Sequence, residues 1–153
     1  MSIMRINSRL KNPAGQGLIE MVVVVGMLSI FIVGLIKALT ISLKNTQFAK
    51  ERSMSENYAR QAAEWLVFQR DDDWNNLQSR TGMIFCLNDL SDWPLLAGSC
   101  GESDFISGTV YQREVALNEI VFNQEIESIV TVSWASPRGG EEFELKLNLT
   151  KWR

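Results

Sequence analysis

From Met21 to Ile36 the chain carries no charged residue and little that is polar beyond Ser29, and Leu18 and Ile19 extend the apolar run back past a lone Glu20. A helix from Gly17 to Ile36 would be roughly 30 Å long at a rise of about 1.5 Å per residue, which matches a bilayer's hydrocarbon core. The run therefore predicts one membrane-spanning helix. The chain has 153 residues, so what remains suffices for one ordinary domain and not for two.

Charge is distributed unevenly about this run. The segment before Gln16 holds Arg5, Arg9 and Lys11 and no acid, and the rest of the chain holds 12 basic and 18 acidic residues, a balance of −6. The basic end is expected to stay on the cytoplasmic side while the acidic bulk crosses. That bulk also argues against nucleic acid as a partner, which calls for a basic surface.

Two cysteines, Cys86 and Cys100, fall in the part expected to cross, where oxidation is favoured. The pair permits one intrachain bridge, and the alternative is two free thiols. Zinc does not fit: there is no CxxC pair and no histidine in the chain. The missing histidine also removes the commonest general base, and no nucleophile motif or phosphate-binding glycine loop is present, so no enzyme and no cofactor are expected.

The junction between basic end and apolar run reads Lys11-Asn12-Pro13-Ala14-Gly15-Gln16-Gly17-Leu18-Ile19-Glu20-Met21. It resembles the type III leader of the type IV pilin superfamily, a short basic leader ending in Gly before a mature chain with Glu at its fifth position. Gly15 matches the glycine before the cut, Leu18 and Ile19 the usual apolar pair, and Glu20 the fifth-position acid. Gln16 and Gly17 depart from the family's usual Phe and Thr or Ser.

The resemblance implies cleavage after Gly15 by a prepilin peptidase, methylation of the new N-terminus at Gln16, and assembly with other pilin subunits on an inner-membrane platform. The product would be a minor pilin, PilV-like in its acidic turn, or a pseudopilin of a type II secretion system. Its place would be the inner membrane as a single-pass protein, then an extracellular filament or periplasmic pseudopilus. Physics singles out Glu20 independently, because a carboxylate at membrane depth costs a few kcal/mol unless paired. In the family its partner is the freed amine of a neighbouring subunit; otherwise Glu20 sits at the interface and reaches water. A cleaved secretory signal fits less well, since the apolar run exceeds the usual length, and an uncleaved anchor with an extracellular binding module is the remaining alternative.

Beyond Lys37 no Pro or Gly interrupts the chain until Gly82. Met54, Tyr58, Ala62 and Leu66 recur every four positions, with Ala59, Ala63 and Trp65 beside them, which predicts that the helix continues amphipathically to about Gln69–Asp72. Asp71, Asp72 and Asp73 lack the EF-hand glycine and are expected in a solvated loop. A short strand near Met83–Leu87 precedes the 86–100 cysteine loop. Alternation predicts three more strands over Ile106–Leu117, Ser128–Ala135 and Phe143–Trp152, the last two joined by a hairpin at Ser136–Gly140. The second has Thr109, Tyr111, Arg113, Val115 and Leu117 on one side of its pleat. Trp74, Trp93 and Trp152 fall near loops or ends, where aromatics bind ligands or plug interfaces.

The expected fold class is α+β: a long N-terminal α-helix, transmembrane in its first half and amphipathic in its second, packed on an antiparallel β-sheet of about four strands. The resemblance assigns residues 1–15 to the leader and 16–40 to the transmembrane and filament-core helix; residues 41–72 are expected to be its amphipathic continuation and 73–153 the β domain with the 86–100 cysteine loop.

Overall fold

A computed structural model describes residues 16–136 and 139–152, with side chains from residue 17 onward. The chain forms two compact units that divide between Gln47 and Phe48. Helix α1 runs over Gln16–Asp72, a short α2 over Trp74–Gln78, and four strands follow: β1 Met83–Cys86, β2 Tyr111–Val121, β3 Glu125–Ser136 and β4 Gly139–Thr150. The strands form one antiparallel sheet in the order β1-β2-β3-β4. The α+β layout expected from periodicity is the one found.

In the second unit, α1 covers one face of the sheet. Its buried positions are Ser55, Ala59, Ala62 and Leu66, flanked by half-buried Tyr58, Trp65 and Val67. The expected stripe is thus slightly misplaced: Met54 is exposed. Four residues advance about 40° more than one turn, so a strict spacing of four spirals off the face, while alternating steps of four and three stay on it. Against α1 the sheet presents Tyr111, Val115 and Leu117 from β2, Ile126, Val130, Val132 and Trp134 from β3, and Leu149 from β4. Phe85 and Leu87 close one side, and Trp74 and Leu77 of α2 fill the end. The core thins toward β4, where Phe143, Leu145 and Leu147 are only half-buried. The cleanest alternation in the sequence belongs to this edge strand, because an edge keeps one face wet throughout.

Three local expectations need correction. The second strand begins at Tyr111 rather than Ile106 and continues to Val121. Residues 106–110 instead make a turn, with Thr109 N–H donating to Ile106 O at 2.9 Å and Gly108 at φ 73°, a conformation a strand does not contain. The three aspartates are not a plain loop: Asp73 caps α2, its carboxylate accepting from the Asn75 and Asn76 amides at 3.0 and 3.1 Å. The last strand stops at Thr150 rather than Trp152. The expected hairpin joins Ser136 to its partner Gly139, and residues 137 and 138 lie outside the described residues.

Candidate assembly segment

Every described residue of α1 from Gly17 to Gln47 is exposed. The apolar side chains from Leu18 to Leu43 touch no core of their own chain. The helix is long and apolar enough to cross a membrane. An apolar surface of this length needs lipid or other protein around it.

The few polar groups inside the run are arranged to tolerate such surroundings. Ser29 and Thr40 donate their hydroxyls to the carbonyls four residues back, Val25 O at 2.7 Å and Ile36 O at 2.9 Å, so neither presents an unpaired donor to an apolar medium. Gly26 and Gly34 have no atom within 4 Å of where a Cβ would stand, so contacts within the chain do not require glycine there. Small residues at such positions let a second helix approach closely. Glu20 is exposed and makes no hydrogen bond or ion pair among the described residues. Gly15 lies outside the described residues, and of Gln16 only the helical backbone is described.

The remaining sequence-derived candidates sit in the second unit. Cys86 and Cys100 are joined in a disulfide with Cα atoms 4.8 Å apart. Asn88 ties this link to the sheet: its amide donates to Asp104 O at 2.5 Å and its carbonyl oxygen accepts from Arg113 N at 3.0 Å. Two of the three singled-out tryptophans are structural. Trp74 is buried and donates to Asn123 Oδ1 at 3.0 Å; Trp93 is buried edge-on against Trp65 and Phe85, donates to Gln69 Oε1, and lies under Arg80. Trp152 is 71% exposed, yet its indole N–H donates to Asp71 Oδ1 at 2.9 Å and Arg70 stacks on its ring. The Arg70 guanidinium beside Asp71, aided by Trp152, holds that carboxyl below the ordinary aspartate value. No group of three or more metal-ligating side chains gathers among the described residues.

Sequence reasoning missed what Arg113 does. It is 2% exposed, its Nε donates to Leu87 O at 2.7 Å and one terminal nitrogen to Tyr58 O at 2.9 Å, so one guanidinium ties β2 to α1 and to the chain leaving β1. Burial pulls its pKa down to about 10, which leaves it charged at neutral pH. The signal was available in the alternation, which places Arg113 between Tyr111 and Val115 on the inward side. Tyr111 makes a similar tie, its hydroxyl donating to Glu51 O at 3.2 Å.

Comparison with protein-family models, with curated proteins and with solved structures finds no match for this chain.

Proposed function

We propose that the protein is a structural subunit of a type IV pilin-like filament, a minor pilin made as a precursor and cut after Gly15. The mature chain, beginning at Gln16, is held in the inner membrane by the first part of α1 and then drawn into a fibre through the same helix. Glu20 docks on the freed N-terminal amine of a neighbouring subunit, which neutralises both charges at apolar depth and sets the register between helices. Its partners are a prepilin peptidase, an inner-membrane assembly platform and other pilin subunits, with no catalysis, cofactor or nucleic acid involved.

The observation that carries this proposal is the exposed helical stretch from Gly17 to Leu43, whose single acid, Glu20, follows the leader-like glycine by five positions. The continuation of that helix into the core of a four-stranded sheet supports it further.

Intact mass and N-terminal sequencing of the protein from native membranes or sheared fibres test the processing step. A chain starting at Gln16, one methyl group heavier than its sequence, is the expected result. A start at Met1 or near Ala38 would remove the filament role and leave an anchored or secreted binding module. Glu20→Ala is expected to remain in the membrane while its recovery in sheared fibres falls at least about tenfold. Recovery with a secretion complex, and no surface fibre, would assign the subunit to a type II pseudopilus.

A further inference from the structure

The most exposed apolar side chains of the second unit lie in the disulfide loop. Leu95 is 102% and Leu96 84% exposed, values that mean almost no contact with the rest of the chain. The loop is nevertheless fixed on both sides of them. On one side Trp93 is buried and bonded to Gln69. On the other, Gly98 N–H donates to Ile84 O at 2.7 Å in a parallel bridge beside β1, two residues before the Cys86–Cys100 link. Four residues between two such anchors cannot fold back over the core, so both leucines are held in solvent.

The surroundings of the leucines define what fits them. Residues 87–104 contain four acids, Asp89, Asp92, Glu102 and Asp104, and no base, and all four are exposed. A complementary pattern occurs on α1. Residues 21–50 contain Lys37, Lys44 and Lys50 and no acid. Lys37, Ile41 and Lys44 stand at i, i+4 and i+7, one face of α1 that reads basic, apolar, basic, and all three are exposed. An apolar tip with an acidic collar matches an apolar site between two lysines in both chemistry and charge.

We propose that the Leu95–Leu96 tip of one subunit docks on the Lys37–Ile41–Lys44 face of α1 in a second copy of this chain. Two different patches are used, so the contact is heterologous and joins neighbouring copies head to tail. It rests on the filament function proposed above and names a second subunit contact, independent of Glu20.

The test uses the full-length protein in its native membrane and fibres. With Leu96→p-benzoylphenylalanine, irradiation is expected to give an adduct of twice the chain mass, mapping to residues 37–44 of the partner copy. Adducts only to lipid, to a different protein or within one chain would overturn the contact. Glu102→Lys, at an exposed side chain of the collar, is expected to leave the thermal unfolding of the second unit unchanged and to lower recovery in fibres about tenfold. Adding Lys37→Glu and Lys44→Glu to that variant should restore recovery; failure to restore it would also overturn the contact. Wild-type fibres without the Leu96 adduct sink this contact alone, whereas a wild-type chain starting at Met1 and forming no fibre sinks the filament function itself.

Discussion

Arg113 concentrates several of the unit's constraints in one side chain. A buried guanidinium with no ion pair within 4.0 Å among the described residues is tolerable because its N–H groups meet backbone carbonyls, Leu87 O and Tyr58 O. Arg113→Met keeps much of the volume but leaves both carbonyls without that donor, each worth roughly 1–3 kcal/mol. The variant is expected to lose about 2–4 kcal/mol of stability, measured by urea unfolding of the full chain in detergent. The pH dependence has a definite sign. With the folded pKa near 10, below the free arginine value, the unfolded state binds more protons between the two, so the contribution of Arg113 to stability rises with pH there. The stability of the wild type relative to Arg113→Met should therefore increase from about pH 9 to about pH 11. Asp71 has the same sign in the acid range, although there the charged form is favoured by its partners instead of penalised by burial. Its lowered pKa adds stability above the ordinary value of 3.8, lost as pH falls through the folded pKa below it. The indole N–H resonance of Trp152 should shift in that acid window, and in Asp71→Asn it should not titrate.

Among the elements, α1 approaches the sheet through Ala59 and Ala62, both fully buried, so the helix–sheet distance is set by two methyl groups. Ala62→Leu would force them apart and is expected to destabilise the unit by about 1–3 kcal/mol, with a matching fall in melting temperature. Reducing the Cys86–Cys100 bridge frees a loop of about 15 residues, worth roughly 3 kcal/mol in the chain-entropy picture. The melting temperature should drop on adding reductant, and Cys86→Ala with Cys100→Ala should show the same drop without it. These elements differ in how plainly the sequence announces them. Uninterrupted helix propensity to Asp72 and strict alternation in β3 and β4 are local properties, so α1 and both strands could be placed within a few residues. The start of β2 could not, because Ile106–Val110 alternates like a strand while Gly108 and the Thr109–Ile106 bond turn the backbone. The cap at Asp73 was hidden by its two acidic neighbours, which suggest a loop. The role of Arg113 depends on where Tyr58 and Leu87 meet it in space, which no local pattern encodes. Of the candidate assembly site, Glu20 and the apolar face were legible as composition, and the Leu95–Leu96 tip was not, since exposure depends on the anchors beside it.

At the scale of the whole molecule, two units share one unbroken helix and differ in what their surfaces need. Residues 17–47 are exposed and mostly apolar, while the second unit buries its own core and carries most of the acid. Such a division predicts separate failure modes. Core changes such as Ala62→Leu should lower melting temperature and protein level together. Glu20→Ala should leave the melting temperature of the second unit unchanged and alter only recovery in fibres.

The strand order β1-β2-β3-β4 has one more consequence. Each strand hydrogen-bonds only to the strands made just before and just after it, and the helix that covers them all precedes them in the chain. A polypeptide emerging from its N-terminal end finds its template already present and adds one strand at a time, with no strand waiting for a distant partner. β4, the last strand in the chain, buries only Leu149 fully, so it is the strand expected to open most readily, which hydrogen exchange of its amides would report.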